Sequence, residues 1–170
     1  EFGIDIAGHV TRIGPVAIPK EALSVNEIRR LTKVSLVNCV CRKTEQAMIR
    51  LIEKAQKQKD TLGGKYEIRA EGLPIGLGSY VHYERKIDAQ LAQILMSQQS
   101  AKAVEIGAGD QLASLWGSEA HDEIFYSKTR GYYHKTNRAG GIEGGMTNGE
   151  AVVVKVTMKP IATLARPLSS

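Results

Sequence analysis

The chain changes its hydrophobic period at Gly63-Gly64, and this change limits the kinds of fold that it can adopt. Over residues 44–59 the apolar side chains recur every three or four positions, which predicts an amphipathic helix. Over residues 65–71 apolar and polar side chains alternate, which predicts a strand with one buried face. The polar face of the helix is predicted to carry Glu45, Arg50, Glu53 and Lys57.

Strand periodicity returns at three other places. Alternation predicts one or two strands over residues 4–18, interrupted near Gly14, and another strand over residues 150–158. A short apolar run over residues 101–106 predicts a further strand, which we expect to be buried.

Two further helices are predicted. Ser24, followed three residues later by Glu27, resembles a capping box and predicts a short helix that ends near Leu31. Helical spacing over residues 86–98 predicts the second. Its buried stripe is predicted to consist of Ile87, Leu91, Ile94 and Leu95. Because these elements show no repeated βαβ spacing, we predict an α+β fold with antiparallel strands packed on helices.

The composition is that of a globular domain. The 170 residues are 42% hydrophobic and 24% charged, so we treat residues 1–170 as a single domain with a core of its own. No apolar run has the length of a membrane helix and no secretory segment opens the chain, so we expect no membrane association and a cytoplasmic location. Since the chain begins at Glu1 and stops soon after a strand, we expect a partial domain from a longer protein.

The net charge and the cysteines limit the kinds of ligand that the chain can bind. A net charge of +5 suits an anionic partner, either nucleic acid or a phosphorylated small molecule. Aromatic residues make up only 5% and the basic residues are dispersed, which argues against a nucleic-acid platform.

Cys39 and Cys41 have no second ligand pair at zinc spacing, so we predict no metal site. If they lie on a strand, residues two positions apart point to the same face, so we expect both cysteines to be buried, reduced thiols.

Residues 107–149 are predicted to be mostly loop, and a loop of that length in a compact domain is usually functional. Within it, residues 137–149 are rich in glycine, which lets backbone N–H groups approach an anionic ligand. The segment lacks the ending of a P-loop, and a strand rather than a helix follows it. Two interpretations stay open: a ligand-binding loop and a flexible turn without a ligand.

Two weaker patterns also have two interpretations each. Residues 117–123 gather His121 with three carboxylates, which fits either a metal or acid–base cluster or a structural hydrogen-bonding role. Lys159 precedes Pro160 at the end of a predicted strand. There its ammonium would either meet a phosphate or flavin oxygen or be solvated.

Six stretches resemble chorismate synthases and occur in the same order as in that family. They are residues 76–82 (GLGSYVH), 88–92 (DAQLA), 104–107 (VEIG), 117–123 (GSEAHDE), 137–149 (NRAGGIEGGMTNG) and 158–163 (MKPIAT). The match extends back through residues 60–64 (DTLGG) and is looser before Thr44. The chain therefore resembles the central to C-terminal portion of a member of this family.

The resemblance implies a β-α-β sandwich assembled as a homotetramer. It implies a lyase of the shikimate pathway, in aromatic amino acid biosynthesis. The family removes phosphate from 5-enolpyruvylshikimate-3-phosphate by an anti-1,4-elimination and gives chorismate. Reduced FMN is the implied cofactor, regenerated by an external reductant or an NADPH-dependent flavin reductase. Neither nucleic acid nor a membrane is an implied partner.

The resemblance also implies which residues contact the flavin. They are Gln99, Ser100, Gly144, Lys159, Pro160, Ile161, Ala162 and Thr163. Ala162 stands where the family usually has proline, and Ser100 where it often has alanine. The family's two catalytic histidines and its C-terminal arginine–aspartate pair are not among these 170 residues, so no catalytic residue is predicted. We expect the chain alone to be inactive; a non-catalytic binding or assembly module with the same fold is the alternative.

Overall fold

The computed structural model describes residues 2–19 and 22–164. Its strands are β1 (Asp5–Ile13), β2 (Val16–Ala17), β3 (Gly64–Glu71), β4 (Ala101–Ile106), β5 (Ile124–Ser127), β6 (Gly131–His134), β7 (Ile142–Glu143), β8 (Met146–Thr147) and β9 (Val152–Met158). Its α-helices are α1 (Val25–Thr32), α2 (Arg42–Lys57), α3 (Ile87–Met96) and α4 (Gly117–Ala120). Two 3₁₀ helices span Tyr83–Arg85 and Gly109–Ser114.

Five strands form one antiparallel sheet in the order β2-β1-β3-β9-β4. Strand β9 pairs on both sides, with β3 and with β4, so its backbone donors and acceptors are used within the sheet. This position explains why Val152, Val153, Val154 and Val156 are all buried, although only alternate residues face the same side. The α+β class predicted from the sequence, with antiparallel strands packed on helices, is confirmed.

The two faces of the sheet differ in polarity. Val154 and Val156 of β9 lie on the apolar face with Tyr66 and Ile68 of β3, and α3 packs against this face through Leu95. The other face carries the charged residues of β3 and β9, and it is open to a cleft described below. The amphipathic pattern of residues 65–71 therefore describes a real division between core and polar surface.

Helix bounds agree with the sequence to within two residues, and the cap of α1 is as predicted. The Ser24 hydroxyl accepts a hydrogen bond from Glu27 N at 3.3 Å, and the Glu27 carboxylate accepts one from Ser24 N at 2.8 Å. Each partner satisfies a backbone donor that the first helical turn leaves free. Across residues 2–19 and 22–164, no helix has the length and apolarity needed to span a bilayer.

Two side chains on the helices lie on faces other than those predicted. Glu45 is buried rather than solvent-facing because it lies three residues before the buried Met48 and so shares its face. Its carboxylate accepts hydrogen bonds from Ser35 Oγ at 2.8 Å and from Leu36 N at 2.7 Å. Ile94 is 64% exposed. The buried stripe of α3 is centred between Leu91 and Leu95. Because successive residues are rotated by about 100° around the helix axis, Ile94 lies at the edge of this stripe.

Residues 107–149 are more ordered than predicted. They contain the second 3₁₀ helix, the short α4 and two hairpins, β5–β6 and β7–β8. Gly144 and Gly145 form the two-residue loop of the second hairpin with φ of 58° and 85°. Positive φ at both central residues is what a type I′ hairpin turn requires, so a Gly-Gly pair is a hairpin signal that the sequence analysis missed.

The two cysteines do not lie on a strand. Cys39 is buried in the connection before α2, and Cys41, which is half-buried, occupies the N-cap position of that helix. Neither forms a disulfide. The expectation of reduced thiols agrees with this arrangement, but strand alternation is the wrong reason for it.

Candidate functional site

Two of the predicted flavin-contacting segments meet at one end of the sheet. Ala101, the first residue of β4, pairs with Met158, the last residue of β9. Lys159 N then donates a hydrogen bond of 2.8 Å to Ser100 O. Ser100 has a φ of 72°, a left-handed conformation that turns the chain from the end of α3 into β4. Antiparallel pairing of β4 with β9 therefore brings together Ser100 and Lys159, which are 59 positions apart in sequence.

Beyond Lys159 the chain leaves the sheet. Pro160 has no N–H, so the ladder cannot continue through it. Residues 159–163 are all exposed, as is Gln99, and Ile161 O accepts a hydrogen bond from the Thr61 hydroxyl at 2.9 Å. Seven of the eight predicted positions thus lie on or beside one open surface at this end of the sheet. Lys159 supplies a positive charge on that surface.

Gly144 lies apart from this group. Gly145 O, in the same hairpin turn, accepts a hydrogen bond from Ile87 N at 2.9 Å, which places the turn at the N-terminal end of α3. Gln99 and Ser100 follow the other end of that helix, and ten helical residues span about 15 Å. The structure therefore does not bring Gly144 into contact with the rest of the predicted site.

Close backbone packing explains most of the glycines in the glycine-rich segment. A Cβ on Gly141 would lie 2.5 Å from Ala151 O, and one on Gly145 would lie 2.7 Å from Ser79 O. A Cβ on Gly140 would meet the backbone of Gly107. Only at Gly144 would an added Cβ have no heavy atom within 4 Å among the glycines of this segment. The segment is a packed turn, and Gly144 is its one glycine with open space around it.

Asp122 holds the start of the glycine-rich segment. Its carboxylate accepts hydrogen bonds from Arg138 N at 2.9 Å and Ala139 N at 2.8 Å, and from the Thr136 hydroxyl. Burial by itself would raise the pKa of Asp122, but these hydrogen bonds outweigh it and the pKa is lowered. Within the described part of the chain, no three His, Cys, Asp or Glu side chains are grouped to hold a metal ion. The hydrogen bonds of Asp122 favour the structural interpretation of residues 117–123.

A cleft of about 950 Å³ covers the polar face of the sheet, and the sequence analysis did not predict it. One row across its floor runs through His9, Glu67, Lys155 and Glu105, which are cross-strand partners in register. The Lys65 ammonium contacts the Glu105 carboxylate at 2.7 Å. The only signal in the sequence is the charge on the polar positions of the alternating strands, which also fits an ordinary solvated face.

Burial perturbs the pKa of two groups in this row. Burial, with a smaller effect of the Arg69 charge, lowers the pKa of His9, and no partner for its buried Nδ1 occurs among the described residues. Burial raises the pKa of Glu67, and the nearby charges of Lys155 and Arg69 oppose this shift. Both shifts disfavour the charged form of the group.

A second, more apolar cavity of about 490 Å³ lies beside the predicted flavin surface. It is bounded by the last turns of α2, by the ends of β1 and β9, and by the loop of residues 60–64. Met158 and Ile161 contribute to its lining, so the exit of the chain from β9 forms one of its walls.

Comparison with known proteins identifies relatives of the whole chain. The family model described as chorismate synthase matches residues 1–170. The chain is 51% identical over 170 residues to the chorismate synthase of Moorella thermoacetica, covering 100% of this chain and 44% of that protein. It is 49% identical over 171 residues to chorismate synthase 2 of Bacillus cereus strain ATCC 10987, again covering 100% and 44%.

A solved structure shows the same fold. A crystal structure of a chorismate synthase superposes with a TM-score of 0.88 at 35% sequence identity, covering 95% of this chain and 51% of that one. The chain thus spans less than half the length of the curated relatives named above.

Proposed function

The chain belongs to the chorismate synthase family, and we propose from this that it forms part of a lyase acting on 5-enolpyruvylshikimate-3-phosphate. The proposed reaction is an anti-1,4-elimination that releases phosphate and gives chorismate. The observation that supports it at the level of the site is the hydrogen bond from Lys159 N to Ser100 O, which joins two segments predicted separately from the resemblance.

We propose reduced FMN as the cofactor, with the surface around Ser100 and Lys159 as its principal contact. When bound, FMN would supply transient electron density for the elimination of phosphate. The residues present fit an anionic flavin: Lys159 is exposed at a strand end, and an ammonium is a strong partner for phosphate. Gly144, with open space around it, would contact a different part of the ligand from the other end of α3.

The proposed role of these residues is to bind and orient the flavin. Backbone pairing between β4 and β9 fixes the backbone of Lys159 relative to Ser100, so the lysine side chain starts from a defined place. Pro160 fixes the direction in which the chain leaves the sheet, because its ring restricts φ. No residue of this chain is assigned a proton-transfer step, since the histidine motifs implied by the resemblance are not among these residues.

Further properties stay predictions. These are a homotetrameric assembly, the organisation of residues 1–170 as one partial domain, a cytoplasmic location, and the external reductant or NADPH-dependent reductase that would keep FMN reduced. None of them is needed to test the flavin site.

Binding of FMN to matched lysine variants tests the site. Titration of FMN should show saturable binding to the wild-type chain, and Lys159→Met should weaken it by about tenfold or more, because a hydrogen bond to a charged group contributes about 1.5–3 kcal/mol. Lys54→Met removes an equal charge from the exposed face of α2 and should leave the affinity unchanged. Equal weakening by both variants would show a diffuse charge effect and would count against this site.

A further inference from the structure

The segment of residues 159–163 has few contacts that fix its path. Lys159 N bonds to Ser100 O, but Pro160 has no donor, and all five side chains are exposed. Among the described residues, the hydrogen bond from Thr61 Oγ1 to Ile161 O is the only one in which a side chain holds this segment. It joins residues one hundred positions apart, so it is not a product of local turn geometry.

Thr61 itself sits on a well-anchored loop. Asp60 N donates to Ala55 O at 3.0 Å, which ties the loop to the last turn of α2. Thr61 N donates to Asp60 Oδ1 at 2.7 Å. Gly63 O accepts from Gly14 N at 2.8 Å, which ties the other end of the loop to the turn between β1 and β2. The Thr61 hydroxyl is therefore presented from a fixed position.

Gly63 provides the space that the segment occupies. A Cβ at this position would lie 2.7 Å from Met158 O and 3.1 Å from Pro160 Cδ. The backbone of Gly63 does not have a positive φ. The requirement is therefore one of space and not of conformation: a side chain here would push Pro160, and with it Lys159, away from the end of the sheet.

We propose that Thr61 and Gly63 are positioning residues for the flavin-contacting segment. Thr61 holds the Ile161 carbonyl, and Gly63 lets Pro160 pass close to the start of β3. Together they fix the direction of residues 159–163 beyond the last pairing of β9, and they form one wall of the 490 Å³ cavity next to Ile161. This inference rests on the proposed function, in that the positioned segment is the one assigned to FMN.

The test compares Thr61→Val, which has nearly the same shape without the hydroxyl, with Thr61→Ser, which keeps the hydroxyl. Backbone amide order parameters of Ile161, Ala162 and Thr163 are measured by NMR without ligand, and FMN affinity is measured by titration. In Thr61→Val we expect the order parameters to fall to about 0.6 or below. We expect FMN binding to weaken roughly three- to tenfold, the scale of one hydrogen bond. Thr61→Ser should restore both.

The two measurements separate the inference from the proposed function. Wild-type order parameters in Thr61→Val would overturn the positioning role, whatever the affinity. Lower order parameters with unchanged FMN affinity would also overturn it, because the segment would then not need to be held in place. If the wild-type chain bound no FMN at all, the proposed flavin site would fail, and the order parameters alone would decide whether Thr61 holds the segment.

Discussion

His9 combines deep burial with a ring nitrogen that has no partner among the described residues. It lies in β1 opposite Glu67 and is 3% exposed on the floor of the polar cleft. An unpaired buried polar group costs stability, and protonation would add the cost of a buried charge next to Arg69. The residue is therefore held neutral, which gives it a definite effect on the pH dependence of folding.

Replacing His9 with phenylalanine should reduce the loss of stability in mild acid. The pKa of His9 is lowered from 6.5 in the folded state. As the pH falls below about 6.5, this histidine is therefore protonated more readily in the unfolded chain than in the folded chain, which favours unfolding. The contribution of His9 to the free energy of unfolding is therefore present above about pH 6.5 and is lost as the pH falls through the lowered pKa. Urea midpoints at pH 7.5 and 5.5 should differ less in His9→Phe than in the wild type.

The exposed His121 provides the control, and His121→Phe should keep the wild-type pH dependence. Glu67 titrates in the same cleft with a raised pKa, so it is the difference between wild type and variant, not the slope itself, that isolates His9. A His9→Phe variant with the full wild-type slope would contradict this account.

Replacing Asp122 with asparagine should destabilise the fold by about 1–3 kcal/mol, because an amide cannot accept from both Arg138 N and Ala139 N through two oxygens. Since the pKa of Asp122 is lowered from 3.8, its contribution persists at neutral pH and is lost as the pH falls below that value through the folded pKa. Chemical denaturation measures the change. Asp110→Asn, at an exposed aspartate, should have little effect, and an equal loss in both variants would argue against the anchoring role.

On α3, two adjacent apolar residues should differ sharply in their contribution to stability. Leu95 is 7% exposed and packs on the apolar face of the sheet, whereas Ile94 is 64% exposed. Leu95→Ala should cost about 2–5 kcal/mol through lost burial and the cavity left behind. Ile94→Ala should change stability by only about 0.5 kcal/mol. The reverse order in denaturant unfolding would show that another surface covers Ile94.

The elements with a clear period were predictable, and those that depend on distant partners were not. The central strand β9 and the helix α2 follow directly from alternation and helical spacing. The hydrogen bonds that stabilise the buried Glu45 carboxylate could not be predicted, because Ser35 and Leu36 approach it from another segment. Short hairpins inside residues 107–149 gave no periodic signal, because strands of two to four residues are too short to show alternation.

The candidate site also has parts that the sequence indicated and parts that depend on distant contacts. Motifs pointed to Ser100 and Lys159 separately, but only the pairing of β4 with β9 shows that they are neighbours. The same reasoning could not separate Gly144 from that group, since sequence order does not reveal which end of α3 a turn packs against. The charged row through His9 and Glu67 was missed because charge on a polar strand face is usually a sign of solvent.

At the scale of the whole molecule, the chain corresponds to only part of its curated relatives. It spans 44% of the Moorella thermoacetica chorismate synthase, yet its sheet, helices and predicted flavin surface form one connected structure. The proposed flavin-binding surface at Ser100 and Lys159 lies within this chain, whereas no residue of the chain is assigned a proton transfer in the proposed elimination.

We predict that the 170-residue chain binds FMN but does not convert 5-enolpyruvylshikimate-3-phosphate to chorismate. The assay combines the chain with reduced FMN and substrate under anaerobic conditions and follows chorismate formation. The Moorella thermoacetica relative at the same molar concentration serves as the positive control. Loss of a general acid or base typically costs about 10²–10⁴-fold in rate, so turnover should be lower than that of the relative by at least this factor. Chorismate formation at a rate near that of the relative would show that residues within this chain perform the proton transfer, and His121 and His134 would then be the first to replace.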